Sequence, residues 1–308
     1  MIWRMGCGMR HLLTASLLML LLLLFYLSLS AGPLLSNPLQ IPKIMNTQYG
    51  PPPTEENSLA ALSSVPGSAT SPVTIDLLRR YFLLPPSEAP YNLDNANEQN
   101  PSMGQAQVID RILKEQRGGF FVECGGLDGE LRSNTLFFER FRGWKGLVIE
   151  ADPVNFAQMK TKNRKAYISP SCLSTTSNPE KVVFAQNSNR GHIYDVESYD
   201  DAPAKGLVNV QCFPFISYMK ALNVTTVDYF SLDVEGAEYK VLQSIPWDDV
   251  DIKTLSVEYL HDVEGKAAIR KLLLANGYSV FTEVSAAFNL ANDFIFVKNN
   301  LLSEDPSR

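Results

Sequence analysis

Apolar and polar positions follow a repeating order over the C-terminal two-thirds of the chain. Short apolar runs end in polar clusters and are separated by segments of helical periodicity. The apolar runs predict strands at 120–122, 146–149, 166–168, 182–185, 207–210, 229–232, 254–257, 278–281 and 294–297. The periodic segments predict helices at 134–141, 156–164, 216–222, 237–242 and 266–276. Strands that alternate with helices predict an α/β domain, here 103–300, with a doubly wound, mostly parallel, Rossmann-like sheet covered on both faces.

The last two predicted strands have no helix between them. We therefore expect them to close the sheet as an antiparallel pair, with the final strand at or near an edge. The segment 301–308 that follows is short and polar, and we expect it to be a disordered tail.

An uncharged, leucine-rich run occupies 12–31. Twenty helical residues rise about 30 Å, the thickness of the hydrocarbon core of a bilayer. Arg4 and Arg10 precede the run and no cation follows it before Lys43, which predicts a cytosolic tail at 1–11 and a lumenal remainder. The run is longer than a usual signal-peptide core, so an uncleaved type II anchor is favoured over a cleaved signal peptide. A buried core helix is disfavoured because the run lacks a polar face.

The segment 32–102 is rich in proline and is predicted to be a flexible stem. It holds twelve of the nineteen prolines, with Ser, Asn and Thr between them, so it buries little apolar surface. One island at 73–84 is more apolar than its surroundings. It is interpreted either as a short helix that docks on the domain or a partner, or as a transient helix in a disordered linker.

Charge, cysteine content and histidine spacing argue against nucleic-acid binding and against a metal site. Acidic residues outnumber basic ones, 33 to 27, so the chain lacks the positive surface that nucleic-acid binding requires. No CxxC pair is present and the three histidines are far apart, so no metal site is predicted. On the lumenal side a bridge between Cys172 and Cys212 is one interpretation, and three unpaired thiols are the other; Cys124 is expected to be a buried thiol.

The first predicted strand runs directly into an acid and a glycine-rich turn. Glycines let a backbone turn tightly and approach a ligand beyond the carboxyl end of a strand. The third glycine of a dinucleotide motif is missing, and an acid-led turn without a phosphate cradle suits S-adenosylmethionine better. The predicted cofactor-binding residues here are Glu123, Gly125, Gly126, Asp128 and Gly129.

Two further strands end in acids. Glu150 ends the second strand, where a carboxylate is placed to accept hydrogen bonds from both ribose hydroxyls of a nucleoside. Asp233 ends a later strand and is expected at the cofactor crevice, with a binding and a catalytic role. Glu235 and Glu238 follow it, either to complement a helix terminus or to bind a substrate or a cation.

Methyl transfer to a hydroxyl needs a general base or a metal that lowers the pKa of the hydroxyl. Glu258 and His261 follow the strand at 254–257 and are the candidate catalytic residues, together with Asp233. For His261 the alternative interpretation is a polar surface residue.

Three segments together resemble the FkbM-type methyltransferases, over roughly 108–298. The shared positions are Glu123, Gly125 and Gly129 in the first motif, Glu150, Pro153, Asn155 and Phe156 in the second, and 233–238 in the third. The resemblance implies S-adenosylmethionine as cofactor, a Rossmann-like fold, and methylation of hydroxyl groups on small molecules or sugars.

The layout of tail, anchor, stem and lumenal domain also resembles the Star-like membrane proteins. That resemblance implies a role in carrying membrane-bound growth-factor precursors through the endoplasmic reticulum, Golgi and endosomes. The sequence therefore supports two hypotheses. The favoured one is a membrane-bound trafficking protein with such precursors as clients, and the alternative is an active lumenal O-methyltransferase.

Overall fold

The structure is a computed structural model that describes residues 68–194, 206–286 and 291–303. The predicted cytosolic tail at 1–11, the anchor at 12–31 and the first half of the stem lie outside the described residues. In the ranges that are described, no helix combines the length and the apolar character needed to span a membrane.

The described chain forms eleven strands and seven α-helices. The strands are β1 (Phe120–Cys124), β2 (Lys145–Ile149), β3 (Tyr167–Ser169), β4 (Cys172–Leu173), β5 (Glu180–Ala185), β6 (His192–Ile193), β7 (Leu207–Phe213), β8 (Thr226–Leu232), β9 (Asp251–Glu258), β10 (Tyr278–Ser285) and β11 (Asn292–Lys298). The helices are α1 (Pro72–Leu77), α2 (Gln105–Ile112), α3 (Pro153–Thr161), α4 (Phe215–Leu222), α5 (Glu238–Ser244), α6 (Gly265–Ala275) and α7 (Asn299–Ser303).

The main sheet has seven strands in the order β10-β11-β9-β8-β1-β2-β3. The five strands from β9 to β3 are parallel, and their interior positions, such as Phe121, Val122 and Phe230, are fully buried. Strands covered on both faces read as continuous apolar runs, which is why the sequence located them. The expected antiparallel pair is confirmed: β10 forms the edge and β11 lies between β10 and β9.

A second sheet has the order β4-β7-β5-β6 and is separate from the main sheet. The strands predicted at 182–185 and 207–210 therefore do not join the main sheet, and the single-sheet prediction is wrong for them. In β5, Lys181 and Val183 are exposed whereas Phe184 is buried, the alternation of a sheet with one covered face. Cys172 and Cys212 are register partners in this sheet and form a disulfide, while Cys124 is a buried free thiol.

Two helix predictions need correction at their ends. The helix expected at 156–164 begins at Pro153, because the Asp152 side chain caps it by accepting a hydrogen bond from Val154 N at 2.8 Å. The helix expected at 134–141 starts later, and its principal part is a π-helical turn at Phe138–Arg142.

The prediction of a flexible stem is wrong for residues 68–102, which pack on the domain. Helix α1 continues into a π-helical turn at Leu78–Phe82, and Leu78 is fully buried. Leu84 exchanges two backbone hydrogen bonds with Ile168, at 2.9 and 3.1 Å. The apolar island thus docks on the domain, because burying Ile75 and Leu78 offsets the entropy of ordering the segment. At the other end, α7 orders residues to Ser303, so the predicted disordered tail cannot begin at 301.

Candidate active site

A cavity of about 370 Å³ lies at the carboxyl ends of β1, β2, β8 and β9. Ligands of doubly wound folds bind at this rim of the sheet. Six acidic side chains line it: Glu123, Glu150, Asp233, Glu235, Glu258 and Asp293. Arg132 and Arg190 also line the wall, so the cavity is strongly acidic with two cations at its margin. The structure thus brings Glu123, Glu150 and Asp233 together at one rim.

Two glycines of the predicted turn are required by close packing. Gly125 has φ +87°, and a Cβ on it would lie 1.8 Å from the backbone oxygen of Asp233. A Cβ on Gly126 would lie 2.2 Å from Cγ1 of Val148. The turn after β1 therefore presses directly against the end of β8 and against β2, which brings the acids on those strands to one cavity.

Glu123 is buried and its carboxylate organises the loop that follows. It accepts hydrogen bonds from Ser133 Oγ at 2.9 Å, from Asn134 N at 2.6 Å and from Thr135 Oγ1 at 2.6 Å. Burial raises the pKa of Glu123, while Arg164, 3.9 Å away, and these hydrogen bonds oppose the rise. Its acceptor positions are largely occupied by protein, so Glu123 positions the wall of the cavity.

Asp128 and Gly129, which were also predicted to bind the cofactor, are not among the residues that line the cavity. Asp128 Oδ1 accepts hydrogen bonds from Glu130 N at 2.9 Å and from Leu131 N at 2.7 Å. The carbonyl oxygen of Gly129 accepts from Arg164 Nη1 at 2.6 Å. Both residues shape the turn from its outer side, since an Asx turn and a glycine at φ +81° reverse the chain there.

Glu150 lies immediately after β2 and is 6% exposed. Its Oε2 accepts from Leu127 N at 2.7 Å, and its Oε1 accepts from Asp152 N at 2.8 Å. Burial raises the pKa of Glu150 to about 7, against the lowering effect of these amides. A carboxylate oxygen accepts two hydrogen bonds, so Oε2 retains an acceptor position for a ligand hydroxyl.

A second group of acids stands at the ends of β8 and β9. One oxygen each from Asp233, Glu238 and Glu258 lie within 4.8 Å of one another. Glu238, which is fully buried, accepts from Val234 N at 2.7 Å and Gly236 N at 3.0 Å. Burial and the charge of Asp293 raise the pKa of Asp233 to about 7, and burial and the charge of Asp233 raise the pKa of Glu258 to about 7. Burial raises the pKa of Glu238 well above its usual value, and the main role of this side chain is to hold its own loop.

His261 borders this acidic end of the cavity. Its Nδ1 lies 2.9 Å from Glu235 Oε2 and 3.6 Å from Glu258 Oε1. Burial and the positive field of Arg190 lower the pKa of His261, and burial with the charges of Asp233 and Glu258 raises that of Glu235 to about 8. A neutral imidazole next to a carboxyl group is an arrangement suited to accept a proton.

Sequence reasoning missed two amide side chains that line the cavity. Asn134 Nδ2 donates to Ser231 Oγ at 2.9 Å, and Gln105 Nε2 donates to Asp293 Oδ2 at 2.9 Å. Their oxygens, Oδ1 and Oε1, have no partner among the described residues, although the side chains are only 7% and 5% exposed. Buried polar atoms are almost always hydrogen-bonded, so these two oxygens point to a ligand. No local pattern marks either residue.

A protein-family model matches most of the part of the chain that forms the cavity. The model of the methyltransferase FkbM domain matches residues 123–280, more than half of the chain. The chain belongs to the FkbM methyltransferase domain family. In this FkbM domain the matched region begins at Glu123 in β1 and ends in β10, so it contains the carboxyl ends of all four strands that form the cavity.

Several solved structures resemble the FkbM domain at low identity. The methyltransferase FkbM from Methylobacillus flagellatus is 11% identical with a TM-score of 0.40, and the match covers 58% of this chain and 43% of that one. Magnesium protoporphyrin IX methyltransferase from Synechocystis, with bound S-adenosylmethionine, is 13% identical with a TM-score of 0.36, over 67% and 86%. A methyltransferase from Pyrococcus furiosus is 13% identical with a TM-score of 0.34, over 63% and 82%. None of the curated proteins matches this chain significantly.

Proposed function

We propose that this FkbM-family chain binds S-adenosylmethionine in the cavity and methylates a hydroxyl group of an acceptor. The observation that carries the proposal is Glu150: a buried carboxylate at the end of β2, with a free acceptor position, beside the glycine turn that follows β1. A ribose diol needs an acceptor of this kind at this place in the fold.

The charge of the cavity supports the same ligand. S-adenosylmethionine carries a sulfonium and an ammonium, and six acids with two arginines line the wall. Cations are attracted to such a wall, particularly where burial lowers the local dielectric constant. The residues present therefore fit the cofactor: Glu150 for the ribose, and the acidic wall as a whole for the positive groups.

The chemistry follows from the acidic end of the cavity. When bound, S-adenosylmethionine supplies an electrophilic methyl group, whose bond to sulfur breaks as the C–O bond forms, the electron pair leaving on sulfur. His261 accepts the proton of the acceptor hydroxyl on its imidazole ring, whose Nδ1 lies 2.9 Å from Glu235 Oε2. Glu258 Oε1, which lies 3.6 Å from Nδ1 of His261, stabilises the imidazolium that results.

The test is calorimetric titration of the full chain with S-adenosylhomocysteine. We expect the wild type to bind and Glu150→Gln to bind about 10- to 100-fold more weakly, because a hydrogen bond to a charged group contributes about 1.5–3 kcal/mol. Glu283→Gln is the matched control: it makes the same chemical change on the edge strand β10, where the side chain is 44% exposed, and affinity should not change. Absence of heat at millimolar ligand with wild-type protein would refute the proposal.

A second candidate is a Star-like role, in which a membrane-anchored lumenal domain carries growth-factor precursors between compartments. Two features support placing the domain in the secretory lumen. The Cys172–Cys212 disulfide is a bond that persists in oxidising compartments. Asn223 heads the Asn-Val-Thr sequon and is exposed in the turn between α4 and β8, where a glycan could be attached.

This second candidate predicts that client binding does not depend on the cavity. Full-length protein should co-precipitate membrane-bound growth-factor precursors, and Glu150→Ala and Asp233→Ala should retain that binding. Loss of the precursors from both variants, with thermal unfolding unchanged, would show that the cavity is needed and would count against a surface-only trafficking role.

A further inference from the structure

Asp233 and Glu258 at the acidic end of the cavity and the fully buried Glu238 beside them converge more closely than their charges favour. One oxygen each of Asp233, Glu238 and Glu258 fall within 4.8 Å of one another, and Glu238 and Glu258 are 0% and 6% exposed. Among the described residues no lysine or arginine forms an ion pair with any of the three. Like charges so placed repel each other, and either protonation or a bound cation relieves that repulsion.

The three oxygens are close enough together for one hard divalent cation to contact all of them. Ca²⁺ binds oxygen at about 2.3–2.6 Å, so two ligands on opposite sides of it are roughly 4.6–5.2 Å apart. Mg²⁺ binds oxygen at about 2.0–2.1 Å, so two ligands on opposite sides of it are roughly 4.0–4.2 Å apart. Carboxylate oxygens are the ligands these ions prefer, together with Mn²⁺.

A second and independent observation lies in the same cavity. The buried oxygens Asn134 Oδ1 and Gln105 Oε1 have no hydrogen-bond partner in the part of the chain that the structure describes. Gln105 is tied to Asp293, the register partner of Glu258, and Asn134 is tied to Ser231, two residues before Asp233. Both amides are thus anchored beside the strands that supply the acids. Unpaired acceptors at such a place call for a cation or its bound water.

We propose that Asp233, Glu238 and Glu258 bind a hard divalent cation at the acidic end of the cavity. Its use in catalysis rests on the proposed function: the cation would bind the acceptor oxygen, lower the pKa of the hydroxyl, and so ease transfer of its proton to His261. No metal site was predicted because the histidines and cysteines form no ligand pattern; cation binding was one of the two interpretations of Glu238, but Asp233 and Glu258 were predicted only as cofactor-binding or catalytic residues.

The test uses the full chain and Mn²⁺ as the probe, with free Mn²⁺ followed by electron paramagnetic resonance. We expect one bound ion per chain, displaced by excess Ca²⁺ or Mg²⁺. Glu258→Gln should weaken Mn²⁺ binding more than about 100-fold, since loss of even an outer-shell partner costs 10- to 100-fold. A cooperative thermal unfolding transition close to that of the wild type, both measured without added metal, would show that Glu258→Gln is folded.

The matched control is Glu150→Gln, the same substitution after β2, where the ribose is proposed to bind. Glu150→Gln should weaken the binding of S-adenosylhomocysteine and leave the binding of Mn²⁺ unchanged. The two variants therefore separate the cofactor proposal from the cation proposal. Failure of the wild type to bind Mn²⁺ while it binds S-adenosylhomocysteine overturns the cation site and leaves the proposed function standing. Mn²⁺ binding that depends on Glu258 supports the cation site whether or not S-adenosylhomocysteine binds.

Two further results would overturn the inference. Mn²⁺ binding that is unchanged in Glu258→Gln and in Glu238→Gln would place the ion elsewhere on the protein. Competition between S-adenosylhomocysteine and Mn²⁺ for one site would assign the three acids to the amino group of the cofactor instead.

Discussion

Gly125→Ala is expected to lower the free energy of unfolding by about 3–5 kcal/mol and to abolish binding of S-adenosylhomocysteine. The new Cβ would lie 1.8 Å from the carbonyl oxygen of Asp233, which is backbone and has no alternative rotamer. The loop after β1 and the end of β8 must separate, and the φ of +87° adds its own cost of about 1–2 kcal/mol. Denaturant unfolding and calorimetric titration measure the two effects.

Gly277→Ala provides the matched control. Gly277 has φ +84°, nearly the value of Gly125, but no atom lies within 4 Å of the Cβ it would carry. In this variant the free energy of unfolding should fall only by the cost of the positive φ, about 1–2 kcal/mol, and the affinity for S-adenosylhomocysteine should not change. If the free energy of unfolding fell equally in Gly125→Ala and Gly277→Ala, the contact with Asp233 would not be the reason for glycine at position 125.

Arg164→Met is expected to destabilise the domain by about 3–5 kcal/mol, because it leaves buried acids without their cation. The Arg164 side chain is fully buried and donates to Glu139 Oε2 at 3.0 Å, to Gly129 O at 2.6 Å and to Thr135 Oγ1 at 3.2 Å. It therefore joins the glycine turn to the loop that Glu123 organises. Urea unfolding with an unchanged m-value measures the loss.

The exposed pair Arg80–Asp76 supplies the comparison for Arg164. Its side chains are 66% and 55% exposed, and Arg80→Met should change stability by less than about 1 kcal/mol. Adding Glu139→Gln to Arg164→Met should restore at least about 1 kcal/mol, because a neutral amide costs less to bury than a carboxylate. A double variant as unstable as the sum of both single changes would indicate lost packing, not unpaired charge.

The parts of the fold that the sequence predicted are those encoded locally. The parallel strands are continuous apolar runs, and the acid and glycines at Glu123 and Gly125 follow one of them directly. The strand-end position of Glu150 follows from the same reasoning. Each of these features depends on residues that are adjacent in sequence, so periodicity and turn chemistry are enough to locate them.

The parts that were missed depend on partners distant in sequence. Strands β5 and β7 pair with each other in a separate sheet, and no pattern within either strand specifies that choice. Gln105 reaches the site through Asp293, 188 residues away. The proline-rich composition of 68–102 indicated disorder, but the few apolar residues it contains find a ready surface on the domain. Tertiary contacts decided these cases.

The docked segment also protects the fold from other chains. Strand β3 is the outermost strand on its side of the main sheet, and the bridge between Leu84 and Ile168 occupies hydrogen-bonding groups of that strand. An uncovered outer strand offers a template for edge-to-edge association and aggregation. A protein shortened to begin at residue 103 would therefore be prone to self-associate, and soluble fragments should start before Ser68.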